Sequence, residues 1–345
     1  MTDRAARIRA VIYLVVVLGS LFSLAAVPGV TLANLADGFR WRKDLIRAFS
    51  SFRYAVGDRL FNDTLVGKDG WLFYTGGLSI REYQQTDDFG QTDLKTFQKD
   101  LDQLNSALAA QGRTLVLVIP PNKTSIYPQY MPGEIQIIGH APRTDQFMGY
   151  MLSHSATRIL DLRSALLRPS AAQQTYYRTD SHWNDLGGYY GYYEIVSLLA
   201  RDYPNLNAHP LSDYTQTILP TRGGTDLPGL MGYLSISEDD PVLEPRFPFS
   251  TTTVTTTLAD GLQMRVTTNQ RTDLPKVLVF GDSFYEALEK FLKPDFGKVV
   301  DLPYFDAAGD SLNYWVQLEQ PDIVMLECAE RDLGNLFPLL HSIER

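Results

Sequence analysis

Residues 276–284 read KVLVFGDSF, and the helical pattern Tyr285–Phe291 follows directly. Lys276–Phe280 (KVLVF) is a short continuous apolar run, the pattern of a strand buried on both faces of a parallel sheet. Gly281 then breaks the run and a helix begins. A strand, a tight turn and a helix in that order set Ser283 at the C-terminal edge of a sheet, where nucleophiles are presented. The N–H groups of the helix's first turn point to the same place and can hold an oxyanion, that of Ser283 foremost. Ser283-Phe284-Tyr285-Glu286 is equally a capping box, so the competing reading is a serine that only caps a helix.

The pattern repeats outward from this stretch. Thr114–Ile119 (TLVLVI) and Asp322–Glu327 (DIVMLE) are two more runs of the same kind, and Arg158–Leu162 is a shorter strand candidate. Between them Leu94, Phe97, Leu101, Leu104 and Leu108 recur at helical spacing until Gly112. From Leu211 to Asp273 the texture changes to Thr, Ser and Gly. There Thr251–Thr257 and Met264–Thr268 read as a hairpin around Ala259-Asp260-Gly261. The expected fold is α/β: a parallel sheet flanked by helices, with a β-rich insertion at about 211–273. The 345 residues are ample for one such domain, and 44% apolar with 21% charged residues excludes wholesale disorder.

The N-terminus bears on location. No charged residue occurs from Ala10 to Ala36, and Ala10–Ala26 (AVIYLVVVLGSLFSLAA) is nearly all apolar. Such a run crosses a bilayer core of about 30 Å. Arg4, Arg7 and Arg9 precede it, which predicts a cytoplasmic N-terminus and an extracytoplasmic body. The alternatives are a cleaved signal peptide, with small residues near Ala33 and Ala36, and a buried core helix. The formal net charge is −9, while up to Arg47 seven Lys/Arg stand against three Asp/Glu, so the body is more acidic still. That excludes nonspecific nucleic-acid binding. With Cys328 as the single cysteine there is no internal disulfide and no cysteine zinc site.

A serine nucleophile needs a base, normally histidine oriented by a carboxylate. Of five histidines, His140, His154, His209 and His341 lack an acidic neighbour in a helpful position. His182 stands in Thr179-Asp180-Ser181-His182-Trp183-Asn184, and in an extended stretch Asp180 and His182 project to one side. Capping of the next helix by Asp180, Ser181 or Asn184 is the bland alternative. A metal is not expected, since two candidate ligands are too few.

Together these segments resemble the alginate O-acetyltransferase family of the AlgX/AlgJ type. The resemblance runs through GKDGWLFY at 67–74, LVIPPNKTSIYPQYMP at 117–132, TDSHWN at 179–184, the Gly-x-Asp-Leu stretch at 224–227, GDSF at 281–284 and Glu330-Arg331. It implies a permuted SGNH-hydrolase-like fold, the Asp-x-His block preceding the GDS block. It further implies an anchored enzyme that moves acetyl groups onto an exported polysaccharide, with Ser283 as nucleophile, His182 as base and Asp180 as orienting acid. The expected acetyl donor is a multi-span membrane O-acyltransferase, with no cofactor and no nucleic acid involved. Residues 1–36 would hold the cytoplasmic N-terminus and anchor, 37–66 a connector and 67–345 the catalytic domain, placed in the periplasm. Asn122, after a strand, is a candidate oxyanion donor or else a turn former. Trp183 is a candidate wall for the acceptor sugar, and Arg331 a candidate substrate contact or half of an ion pair with Glu330. A deacetylating esterase of the same architecture, or a non-catalytic glycan-binding component of a secretion complex, are the alternatives.

Overall fold

The computed structural model describes residues 15, 19, 42–170, 172–220, 226–232, 235–258, 261, 263–303, 311–336 and 340. Ala10–Ala26, apart from Val15 and Gly19, lies outside them, and among the described residues no helix is long and apolar enough to cross a membrane.

The first described helix, Arg42–Ala55, leads into a three-stranded antiparallel sheet of β1 (Leu60–Phe61), β2 (Thr64–Val66) and β3 (Leu72–Tyr74). The turn into β3 uses Asp69 and Gly70 at φ 54° and 78°, where glycine carries no strain. Five strands then pair in parallel: β4 (Thr114–Ile119), β5 (Arg158–Asp161), β10 (Lys276–Gly281), β11 (Lys298–Pro303) and β12 (Ile323–Glu327). The order is β5-β4-β12-β10-β11.

The continuous apolar runs are explained by alternation. Val116, Val118, Val277, Val279, Ile323 and Met325 enter one core, shared with helices Asp185–Leu199 and Tyr285–Leu292. Leu115, Leu117, Leu278, Phe280, Val324 and Leu326 enter the other, shared with helices Gln91–Ala109, Arg143–His154 and Ser311–Glu319. Both faces are covered, so neither parity is polar. Leu94, Phe97, Leu101, Leu104 and Leu108 are the buried stripe of the first of these, as their spacing requires.

The segment 211–273 departs from the expectation of one insertion. Here β6 (Tyr214–Pro220) and β7 (Asp239–Pro245) form a separate two-stranded sheet. Strands β8 (Thr251–Thr257) and β9 (Gln263–Asn269) instead join the central sheet, β9 pairing antiparallel with β11. The expected parallel sheet is therefore a mixed one, of seven strands among the described residues. Strand β11, which no sequence pattern above singled out, is the docking edge: Asp301 in the middle of Lys298–Pro303 interrupts its apolar run because it pairs with Arg265 of the hairpin.

Candidate active site

At the end of β10 the turn 281–284 is fixed from three sides. The Asp282 N–H donates to Glu327 Oε2 at 2.8 Å, and the Asp282 carboxylate accepts from Phe284 N at 2.8 Å and Ala329 N at 2.7 Å. A Cβ on Gly281 would lie 2.9 Å from Tyr285 Cβ and 3.0 Å from Glu327 Oε2, so glycine alone fits. With its neighbours' amides committed, the Ser283 N–H has no acceptor among the described residues. The N-cap of helix Tyr285–Leu292 is Phe284, with no side-chain capping bond. Ser283 Oγ is 2.7 Å from His182 Nε2 instead, which removes the capping-box reading.

His182 Nδ1 lies 2.7 Å from Asp180 Oδ1, which also accepts the backbone N–H of His182 at 3.0 Å. Asp180 thus bonds its own backbone two residues on, a turn device of aspartate. The loop is bent rather than extended, so the pairing comes from this turn and not from alternation along a strand. Asn184 caps the next helix, its Oδ1 accepting from Gly187 N at 3.2 Å, and Asp180 is free for the imidazole. The carboxylate acceptor fixes Nδ1 as donor, which leaves Nε2 to accept the serine hydroxyl proton. Burial pushes the Asp180 pKa upward, but the bond from His182 and its charge prevail and hold it at about 2. Burial lowers the His182 pKa, and the bond and charge of Asp180, then the charge of Asp226, outweigh this and raise it.

Three further side chains support the loop, none of them singled out from sequence. Asp226 Oδ2 is 3.8 Å from His182 Nδ1, its N–H donates to Asp180 Oδ2 at 3.1 Å, and its carboxylate accepts from Ser181 N and Oγ. It belongs to the Gly-x-Asp-Leu stretch, whose chemistry gave no cue because the partner is far away in the chain. Buried Glu238 accepts from Arg178 N at 2.8 Å and Thr179 N at 2.9 Å, tying down the loop's start. Buried Lys123 donates to Leu72 O, Arg178 O and Asp180 O at 2.6, 2.8 and 2.9 Å. The GKDGWLFY and PPNK segments therefore meet beneath the Asp180 loop.

Asp180, His182 and Asp226 place three ligand-type atoms within 4.8 Å of one another. Their bonds fit a proton relay better than an ion, because Nδ1 holds Asp180, Nε2 holds Ser283 and Asp226 accepts from Ser181. An ion there would have to break the Asp–His bond.

Ser283 and His182 open on a cavity of about 350 Å³ lined also by Tyr74, Asp226, Arg331 and Asp332. The Arg331 guanidinium sits over the Tyr74 and Phe284 rings at 5.3 and 5.1 Å. It does not pair with Glu330, whose carboxylate accepts from Asn122 N and Ser125 Oγ on the other side. Asn122 is not among the residues lining this cavity. It is 4% exposed, its N–H is spent on Glu330, and its Oδ1 faces Arg331 Nη1 at 3.5 Å. Trp183 is a correction. It is 1% exposed, its indole N–H donates to Phe284 O at 3.0 Å, and it packs edge-on to the Phe284 ring. A ring so enclosed supports the serine turn and offers no face to a sugar. His209 also differs from expectation, since Asp213 Oδ2 and Asp295 Oδ1 lie 3.2 and 3.4 Å from its two nitrogens.

Residues 64–319 match the family described as the SGNH hydrolase-like domain of acetyltransferase AlgX. Over 168 residues the chain is 27% identical to the probable alginate O-acetylase AlgJ of Pseudomonas syringae pv. tomato, a match covering 48% of this chain and 41% of that protein. The chain thus matches less than half the length of that curated relative. Among solved structures, Bacillus cereus PatB1 with a sulfonyl adduct superposes with a TM-score of 0.61 at 18% identity, covering 79% of this chain and 96% of that one. A DHHW family protein from Eubacterium siraeum gives a TM-score of 0.56 at 14% identity over 81% and 96% of the two chains. These two likenesses establish a shared fold.

Proposed function

The chain belongs to the AlgX family of SGNH hydrolase-like acetyltransferase domains, and on that premise we propose that it is a polysaccharide O-acetyltransferase working through Ser283, His182 and Asp180. The observation that carries the reading is the unbroken relay from Asp180 Oδ1 through the imidazole to Ser283 Oγ, with 2.7 Å at each link, at the C-terminal edge of the sheet. Ser283 Oγ attacks the carbonyl carbon of an acetyl ester while His182 Nε2 takes its proton. The negative charge passes to the carbonyl oxygen, for which the uncommitted Ser283 N–H is a donor. The tetrahedral species collapses, His182 returns the proton to the leaving alkoxide, and acetyl remains on Ser283. A sugar hydroxyl then gives its proton to His182 and attacks the acetyl carbon, and Ser283 leaves with the proton back. Asp180 stabilises the imidazolium in both halves and holds the productive tautomer.

The location follows the same reading. Ala10–Ala26 anchors the chain, the catalytic domain of residues 67–345 lies outside the cytoplasm, and a multi-span membrane O-acyltransferase supplies acetyl groups there. The basic residues before the apolar run support this orientation.

The test uses the full chain in detergent, with nitrophenyl acetate as donor and an oligosaccharide as acceptor. Acetyl should appear on the sugar, and a serine-directed sulfonyl fluoride should label the peptide containing Ser283. Ser283→Ala and His182→Ala should lose both while unfolding at an unchanged temperature. Transfer that survives Ser283→Ala removes the triad from the mechanism.

A further inference from the structure

Ser283 and Asp282, which also line the first cavity, line a second one of about 530 Å³ that His182 does not line. Its other walls are Thr255, Gln263, Arg265, Glu286, Asp301 and Pro303. The hairpin supplies one wall by register. Thr255 pairs with Arg265 and Thr257 with Gln263, so these four side chains share a face of the β8–β9 ribbon. Arg265 in turn pairs with Asp301 of β11, which brings that face against the end of β10.

The chemistry of transfer sorts the two cavities. Both the leaving oxygen and the incoming hydroxyl must exchange a proton with His182 Nε2, so both enter from the cavity that His182 lines. The hairpin cavity is far larger than an acetyl group, and its walls set hydroxyl, amide and carboxylate groups among carbon surface from Pro303 and the side-chain stems, a mixture that suits the polar edges and C–H faces of a sugar ring. It is lined for a polyol. Its charges select further. The Arg265 guanidinium is met by Asp301, with Nε to Oδ2 at 2.7 Å, and by Glu289 Oε2 at 3.2 Å from Nη1. The Asp282 carboxylate is committed to the turn amides, and exposed Glu286 remains as the carboxylate that accepts from sugar hydroxyls and repels a uronate.

We propose that the hairpin cavity is a second acceptor subsite, holding an uncharged sugar residue next to the one whose hydroxyl is acetylated. The inference rests on the polysaccharide reading above and adds where the polymer lies: it passes across Ser283, one residue on the His182 side and its neighbour against the β8–β9 ribbon. A chain crossing the nucleophile in this way is acetylated at internal residues.

Titration calorimetry on the full chain in detergent tests this, in a Ser283→Ala background so that binding is read without transfer. The probes are a neutral methyl hexoside, neutral hexose oligosaccharides of increasing length, and an oligouronate of matched length. Neutral oligosaccharides should bind about tenfold more tightly than the monosaccharide, the gain expected of two added hydrogen bonds. Thr255→Ala with Gln263→Ala should abolish that gain. Both positions are exposed on the ribbon, so folding is preserved and is checked by the unfolding temperature. Affinity that does not grow with length, a gain that survives the double variant, or a larger gain for the oligouronate would each overturn the subsite. Because binding is measured without the nucleophile, failure of the transfer reading and failure of the subsite appear in separate experiments.

Discussion

The Lys123 ammonium donates to the carbonyl oxygen of Asp180 at 2.9 Å, from a buried position above the Trp71 and Phe73 rings at 5.2 and 5.4 Å. Two more carbonyls, of Leu72 and Arg178, complete its shell. One side chain thus ties β3, the turn after β4 and the Asp180–His182 loop together. Lys123→Met fills the volume and takes the ammonium donor from Leu72 O and Asp180 O, each worth about 1–3 kcal/mol if unmet, while Arg178 O keeps the bond from Leu72 N. The expected result is a loss of about 3 kcal/mol in denaturant unfolding and a fall in kcat out of proportion to any change in KM.

The same lysine gives a pH signature. Burial pushes its pKa from 10.5 down to about 7, with the charges of Glu238 and Asp180 opposing. Between those values the unfolded chain holds a proton that the folded one has released, so this group makes stability rise with pH across that window. Unfolding measured at several pH values should show that slope in the wild type, and Lys123→Met should flatten it.

His182 must be neutral to accept the serine proton. Its pKa stands above the ordinary 6.5 because Asp180 outweighs burial, so the acidic limb of the rate profile should lie above pH 6.5. Asp180→Asn removes the first of the raising causes, and the limb should move to lower pH. The plateau should fall steeply, by roughly 10⁴-fold if this relay behaves as in serine proteases. A plateau within tenfold of wild type would take Asp180 out of the mechanism.

What the sequence disclosed is what short-range patterns can disclose. KVLVF, TLVLVI and DIVMLE are readable because both faces of a covered sheet are apolar, and a strand–turn–helix containing GDS predicts where a serine will stand. KVVDLP was missed because Asp301 breaks its apolar run to meet Arg265, a partner in a different hairpin. Asp226 and Lys123 stand in stretches that carry the family resemblance, yet their roles, like that of Glu238, were not readable there for a related reason. Their roles lie in bonds to a loop 45 to 60 residues away, as in Asp226 to Ser181, Glu238 to Thr179 and Lys123 to Asp180. Trp183 was misread because a tryptophan beside a histidine looks the same in sequence whether its ring faces solvent or Phe284.

The Trp183 correction has its own test. Trp183→Phe retains most of the packing against Phe284 and loses the indole donor to the Phe284 carbonyl, at a cost of about 1 kcal/mol. It should lower the unfolding temperature and reduce kcat modestly through a looser serine turn. Acceptor KM should hold, and a selective rise in acceptor KM would restore Trp183 as a sugar contact.

Asp226 is the partner that separates positioning from proton transfer. Its carboxylate is 3.8 Å from His182 Nδ1 and contributes to raising the imidazole, though less than Asp180 does. Asp226→Asn keeps an oxygen for the Ser181 N–H, and its own N–H still reaches Asp180, since that bond is made by the backbone. What it loses is charge. The acidic limb should therefore shift to lower pH by less than in Asp180→Asn, while the plateau stays within about tenfold of wild type, because the Asp180–His182–Ser283 relay is intact. The comparison is a pair of pH–rate profiles with nitrophenyl acetate. An Asp226→Asn plateau as low as that of Asp180→Asn would make Asp226 the orienting acid, and an unmoved limb would show that its charge does not reach the imidazole.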